Sequence, residues 1–343
     1  MGLRIDKMNT LQEDLQYIAN YKLPYEKLKG HTVLVTGATG FIGASIVRAL
    51  LAVGDIHILA FIRSEEKAKK IFGESDKLGY VVGDIIEPIR IMGDIDYIFH
   101  CASITTSRLM VEKPVETLIT SIEGTKNVLE IAKNKRVKSM VYISSMEIYG
   151  VFNKVDKEIT EDDLGYINPL KVRSDYPESK RLCENMCIAY MSEYNVPVKI
   201  ARLAQTFGAG ILPGENRVFA QFAKSVLAGE NIILHTLGKS EGNYCYIRDC
   251  ITGLLTILLI GKNGEAYNVS NPETHTTIAD MAEMVASKIA GGEIKVVFDI
   301  SEDNTFGYAA DTKMKLCSDK LQLLGWKPEI GLEESYRRMI RSM

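Results

Sequence analysis

An α/β fold, a doubly wound parallel sheet followed by a smaller C-terminal α/β lobe, is what the 343-residue chain predicts, on three observations. Short apolar runs of strand length alternate with helical segments between residue 31 and about residue 205. Most of those runs are apolar at successive positions, the mark of strands covered by helices on both faces. A glycine-rich turn joins the first of them to the helix that follows.

Taken in order, the chain opens on MGLRIDKMNTLQEDLQYIANY, where Leu11, Leu15 and Ile18 share one helical face. A short helix docked on the main domain is expected within an extension of residues 1–30. HTVLVTG is a β-rich run ending at Gly37, and FIGASIVRALLAV continues with helical spacing. DIHILAFIR, GYVVGDI and DYIFHCAS are three more buried strands, and EKPVETLITSIEGTKNVLEIAKNK reads as one long helix. SMVYISS is a fifth strand, and VPVKIARLA a sixth after the helix YPESKRLCENMCIAYMSEY. These segments make up a dinucleotide-type domain over 31–205. Past Gln205 the rhythm changes: GAGILPGENR is loop, helices fall near Val218–Leu227, Asp249–Leu259 and Thr277–Ala290 among short strands, and LGWKPEIGLEESYRRMI closes on a helix. Residues 206–343 are expected to form mainly the second lobe, with some strands returning to the main sheet.

Composition narrows the function. A hydrophobic fraction of 46% with 25% charged residues supports a substantial core. The net charge of -3 lacks the basic excess of a nucleic-acid binder. Six scattered cysteines (Cys101, Cys183, Cys187, Cys245, Cys250, Cys317) form no CxxC, and the five histidines lie far apart, so no metal site is expected. Cys183 and Cys187 share a helix face and read as a packed pair of thiols. No apolar run reaches the roughly 18 residues of a membrane span, and the N-terminus lacks the apolar core of a signal peptide. The expected compartment is the cytoplasm.

TGATGFIG sets Gly37, Gly40 and Gly43 between a strand and a helix. One glycine makes the turn, one lets the backbone approach a pyrophosphate, and one lets helix and strand pack closely. The helix N-terminus presents free N–H groups to the phosphates. This is a Rossmann-type arrangement, and Thr39, Phe41 and Ile42 complete the candidate cofactor loop. NAD enzymes place a ribose-reading acid about 20 residues on, but the second strand ends FIRSEE, with Ile62 and Arg63 there. Arg63 suits a 2′-phosphate or the adenine face, which favours NADP over NAD. Asp84 and Ile85, at another strand end, are candidates to hold the adenine.

Two Y-x-x-x-K patterns occur. Tyr25–Lys29 precedes the first strand and is read as chance; Tyr176–Lys180 opens the helix after the fifth strand, with both side chains on one face. Oxidising an alcohol needs a base for the hydroxyl proton. Lowering a tyrosine from its usual pKa to about 7 requires roughly 4 kcal/mol of differential stabilisation. A lysine ammonium about 5 Å away supplies on the order of 3 kcal/mol at an effective dielectric near 20. Ser145, at the strand tip in YISSMEIYG, orients the hydroxyl.

At these residues the sequence resembles the extended short-chain dehydrogenase/reductases, specifically the nucleotide-sugar epimerase/dehydratase group. The markers run from Thr32 onward: TGATGFIG, GDI, HCAS, EGTKNVLE, YISSMEIYG, YPESK, ARLAQTFG, YIRD, YNVSNP and LGWKP. The resemblance implies a Rossmann domain binding NAD(P), a lobe binding a nucleoside-diphosphate sugar, and usually a homodimer. It assigns Ser145, Glu147, Tyr176 and Lys180 to catalysis, adds Ala102 to the cofactor residues, and points to Ser103, Gln205 and Arg217 for the substrate. Dehydratases of the group carry Thr-Asp-Glu at the strand tip, the Asp expelling the C6 hydroxyl; UDP-glucuronate decarboxylases keep the hydroxyl residue and the Glu without the Asp. This chain reads Ser145-Met146-Glu147. Met146 either marks a reaction that needs no such acid or simply packs against the sugar or cofactor.

Other positions depart from the group. Gly242 stands where dehydratases and decarboxylases usually carry a phosphate-binding arginine, Gln205 and Ser121 stand where asparagines are expected, and Lys313 and Lys315 are candidate replacements for the lost charge. Transient oxidation at C4 followed by decarboxylation or dehydration is the expected function; a 4-epimerase or 4-ketoreductase, and a non-catalytic NAD(P) sensor, are the alternatives.

Overall fold

The computed structural model of the chain describes residues 6–152, 158–300 and 312–343; the first five residues of the expected N-terminal extension lie outside the described residues. Helix α1 (Asp6–Asn20) precedes strand β1 (Thr32–Thr36), helix α2 (Phe41–Val53), β2 (His57–Ile62), α3 (Glu65–Phe72), β3 (Leu78–Val82) and β4 (Tyr97–His100). Then come α4 (Ser107–Glu112), α5 (Pro114–Lys135), β5 (Ser139–Ser145), α6 (Asp175–Tyr194), β6 (Val198–Leu203) and β7 (Gln205–Phe207). The remainder holds α7 (Val218–Ala228), β8 (Ile232–Leu234), β9 (Glu241–Tyr246), α8 (Ile247–Ile260), β10 (Ala266–Val269), β11 (Asn271–Thr277), α9 (Ile278–Met284), β12 (Val296–Phe298), α10 (Asp319–Gln322) and α11 (Leu332–Ser342).

Seven strands form one parallel sheet in the order β10-β6-β5-β4-β1-β2-β3. The order reverses between β1 and β4, which opens a crevice beyond the carboxyl ends of the strands, where ligands bind in such sheets. Alternation along β1 sends Val33 and Val35 to a core shared with α2 and α8, and Leu34 to a second core shared with α5 and α6. Cys183 and Cys187 are both fully buried in that second core, as a packed thiol pair. A third core, around Phe207, Phe219, Tyr244, Met281 and Tyr336, lies beneath a three-stranded sheet in the order β11-β9-β7.

Two helices differ from their sequence expectation; the one expected over Thr277–Ala290 is α-helical over Ile278–Met284 and continues as a π-helix over Val285–Ile289. The long helix expected from Glu112 is α5 and begins two residues later, at Pro114, because Pro114 disfavours helical backbone at Lys113, whose φ/ψ of -136°/58° separates it from α4. Proline then opens α5 at its first turn, where no N–H is needed. The expected N-terminal helix is present as α1 and is tied to the far end of the chain. Asp14, buried, accepts from the Tyr246 hydroxyl at 2.6 Å and pairs with Arg338 of α11 at 2.9 Å. Among the described residues no helix is long and apolar enough to cross a membrane.

Candidate active site

The glycine turn shows why those residues are small. Gly37 has φ of +64°, and a Cβ there would lie 2.8 Å from the Ala102 nitrogen at the end of β4. At Gly43, a Cβ would meet Ala38 Cα at 2.9 Å. Gly40 precedes α2, whose first turn carries no acidic residue and no side-chain cap, so its N–H groups remain available to an anion. Beneath the turn, Thr36 Oγ1 and His100 Nδ1 are 2.7 Å apart, and Thr36 also accepts from Ala102 N. Burial drives the His100 pKa down to about 3, so this imidazole is a neutral structural link.

The fifth strand runs straight into the chemistry. β5 is buried until Ser145, where the chain turns into a 3-10 helix, Met146–Tyr149; Ser145 Oγ caps it by accepting from Glu147 N at 3.2 Å. Behind the tip lies a buried polar network. Ser144 donates to Glu184 at 2.5 Å, Arg202 grips the same carboxylate, and Tyr149 donates to Asn268 at 2.6 Å while accepting from Arg202. Helix α6 supplies Tyr176 and Lys180, both buried. Lys180 Nζ donates to the Ile143 carbonyl at 2.7 Å and lies 5.8 Å from the centroid of the Tyr176 ring.

Electrostatics refine the sequence argument for the tyrosine. Burial pushes the Tyr176 pKa above its ordinary value and the Glu147 charge adds to that rise, while the hydrogen bond with Ser145 and the charges of Arg173 and Arg217 oppose it. Burial also lowers Lys180. Glu147 retains 34% of its side-chain surface but sits deep in the cleft; burial raises its pKa against the pull of Arg173.

One cleft of about 770 Å³ is lined by Gly37, Thr39, Gly40, Phe41, Ile42, Gly43, Arg63, Asp84, Ile85, Ala102, Ser103, Ser145, Glu147, Tyr176, Lys180, Gln205 and Arg217. The structure thus brings the residues assigned in the sequence to cofactor, chemistry and substrate to one cleft, whereas Lys313 and Lys315, the candidate replacements for the lost charge, do not line it. Ile85 reaches the cleft because Gly124 of α5 has no side chain: a Cβ there would stand 3.0 Å from Ile85 Cγ1. Arg217 is engaged by Glu215, through Nε at 3.0 Å and Nη2 at 2.7 Å. Ser103 Oγ is buried without a protein hydrogen-bond partner. Elsewhere, Tyr25 donates its hydroxyl to the Ile18 carbonyl, a structural role, and Lys315 pairs with Glu158 on the surface.

Sequence reasoning missed three side chains here. Arg173, in the 3-10 turn Val172–Ser174 before α6, pairs with Glu147 at 2.9 Å. Asp175 is buried, with Oδ2 unpartnered. Lys67 lines the cleft near Arg63. The only signal for Arg173 was a basic residue three positions before Tyr176. Met146 and Gly242, two departures far apart in sequence, are neighbours: a Cβ on Gly242 would lie 3.9 Å from Met146 Cε.

The family model described as the NAD dependent epimerase/dehydratase family matches residues 33–270. UDP-glucuronic acid decarboxylase 1 of Danio rerio is 30% identical over 315 residues, covering 90% of this chain and 72% of the relative. UDP-glucuronic acid decarboxylase 6 of Arabidopsis thaliana is 30% identical over 308 residues, covering 88% and 85%. Among solved structures, UDP-glucose 4-epimerase of Thermotoga maritima has a TM-score of 0.78 at 23% identity, covering 91% of this chain and 98% of its own. The dTDP-glucose 4,6-dehydratase of Streptomyces venezuelae, solved with NAD bound, has a TM-score of 0.76 at 22% identity, covering 91% and 96%. These two structures share the fold of this chain.

Proposed function

The chain belongs to the NAD dependent epimerase/dehydratase family, and on that premise we propose that it decarboxylates a nucleoside-diphosphate sugar acid through transient oxidation at C4. It is an enzyme of the extended short-chain dehydrogenase/reductase type and binds NAD(P). The cradle at Gly37 and Gly43, which any Cβ would fill, and the orphaned Ser103 hydroxyl both suit a dinucleotide. Bound NAD(P) supplies the acceptor for the C4 hydride and later its donor. We assign cofactor binding to residues 31–205 and sugar-nucleotide binding mainly to 206–343.

Tyr176 takes the C4 hydroxyl proton, Ser145 orients that hydroxyl, and Lys180 favours the tyrosinate by its charge. The C5–C6 bond then breaks, carbon dioxide leaves, and the electron pair passes to C5 and the C4 ketone. Glu147 serves the proton at C5. The observation that carries this reading is Ser145-Met146-Glu147 lining the same cleft as Tyr176 and Lys180, with a thioether in place of an acid. Losing carbon dioxide needs no acid to expel a hydroxyl. The decarboxylase names of the zebrafish and Arabidopsis relatives support the same outcome.

Arg63, joined by Lys67 in the cleft with no acid at the end of β2, supports NADP over NAD; equal or better affinity for NAD would reverse that preference. Exposed Val115 and Ile119 on α5 and Leu182 on α6 support a homodimer, and six unpaired cysteines agree with the cytoplasm. A second reading, a 4-epimerase or 4-ketoreductase in which Glu147 only shapes the pocket, is favoured by Gly242, which carries no cation. Incubation with UDP-, dTDP-, CDP- and GDP-sugars, read by mass spectrometry, separates the two. Loss of carbon dioxide with solvent deuterium at C5 is expected; an unchanged mass without deuterium would select the second reading.

A further inference from the structure

Arg173 has no part in the steps above, yet its guanidinium carbon lies 5.9 Å from the Tyr176 ring centroid. It holds both oxygens of Glu147 through a single nitrogen, Nη2, at 3.1 and 2.9 Å. That end-on geometry leaves Nε and Nη1 without a protein hydrogen bond among the described residues. Glu147 lines the cleft, and the pair is only partly covered, with 33% and 34% of the two side chains exposed. The other cations around Tyr176 are engaged differently: Arg217 pairs side-on with Glu215 through two nitrogens, and Lys180 donates to the Ile143 carbonyl and serves the tyrosine. Across the tip, Met146 and Gly242 present no charge. The guanidinium of Arg173 is therefore a group beside the tyrosine with two nitrogens to spare for an anion.

We infer that Arg173 is the receptor for the sugar's carboxylate, and that the incoming substrate takes Glu147's place on it. The inference rests on the acidic-sugar reading above and adds the residue that selects the acid. In a hexuronic acid the carboxylate carbon is two bonds from C4, so a sugar whose C4 hydroxyl meets Tyr176 carries its anion toward Arg173. The exchange swaps one carboxylate for another, so the guanidinium is never left half-buried and unpaired. Glu147, released, is free to face C5. A neutral hexose has nothing to offer the guanidinium and leaves Glu147 latched.

The test is equilibrium binding of UDP-glucuronate and UDP-glucose to protein saturated with reduced cofactor, where no oxidation intervenes. Arg173→Met is expected to weaken UDP-glucuronate about 10- to 100-fold and UDP-glucose by less than about 3-fold. Arg173→Lys should recover part of the loss. Glu147→Gln, a near-isosteric change that removes the competing charge, should bind UDP-glucuronate several-fold more tightly than the unaltered protein. Equal losses for both sugars in Arg173→Met, or no gain in Glu147→Gln, would overturn the receptor role while leaving the substrate reading intact. Failure of the unaltered protein to bind either sugar nucleotide would overturn the substrate reading, and this inference with it.

Discussion

Tyr176 carries the heaviest demand of any single side chain. Burial holds its hydroxyl above the ordinary tyrosine range, so its ionisation depends on what surrounds it when substrate and cofactor are present. Removing either the hydroxyl, as in Tyr176→Phe, or the neighbouring ammonium, as in Lys180→Met, is expected to cost about 10²- to 10⁴-fold in turnover on the true sugar nucleotide. Steady-state rates check this, and activity surviving in both variants would refute the assignment. Glu147 makes a separable demand. Its pKa is raised by burial, so a step that needs its carboxylate ionised fades with falling pH earlier than an ordinary glutamate would impose. Glu147→Gln should slow carbon dioxide release about 10²- to 10⁴-fold while reduced-cofactor absorbance still develops. If that variant stops the absorbance change as well, Glu147 belongs to the oxidation step and not to the one after it.

Between elements, what matters is close approach. Gly37 brings the β1–α2 turn against the end of β4, and its positive φ and the 2.8 Å approach to Ala102 N both exclude a side chain. Gly37→Ala should therefore lose cofactor affinity and about 1–3 kcal/mol of stability. Gly73→Ala, at the end of α3 with φ of +71° and open space around it, bears the backbone strain without the clash. Cofactor titration of the two variants separates these effects, and undiminished affinity in Gly37→Ala would count against the cradle. The elements also show how much the sequence disclosed. β5 spans the run SMVYISS, and α6 begins one residue before the predicted YPESK helix, because periodicity and motif spacing are local properties. The break at Lys113 was written in Pro114 but masked by the strong helical pattern on either side. The Glu147–Arg173 pair spans 26 residues, and the approach of Met146 to Gly242 links the 3-10 turn after β5 to β9. Such contacts depend on how separate elements are placed in space, which no local pattern encodes.

Across the whole molecule, the two ends of the main sheet do different work. The cleft lies at the carboxyl ends of the strands, whereas Lys199, near the start of β6, is buried at the opposite end. Lys199 Nζ donates to Ser139 Oγ at 2.6 Å, and Ser139 donates to the Leu258 carbonyl at 2.7 Å, near the C-terminus of α8. Lys27, from the segment before β1, reaches the next carbonyl, Leu259, at 3.3 Å. Carbonyls at a helix C-terminus favour a cation, but burial and then the Lys27 charge lower the Lys199 pKa to about 8 from 10.5. Between those values the unfolded chain holds a proton that the folded chain has released, so stability rises with pH across that window. Below it both states are protonated, and the buried charge costs roughly 3 kcal/mol relative to an exposed lysine. Lys199→Met should therefore be the more stable protein near neutral pH and should lack the alkaline gain. Urea denaturation of both proteins across the window tests this: a parallel pH dependence would mean that water or a neighbour already stabilises the Lys199 charge. Because the substitution is remote from the cleft, turnover near neutral pH should be unaffected, which separates the stability built at one end of the sheet from the chemistry at the other.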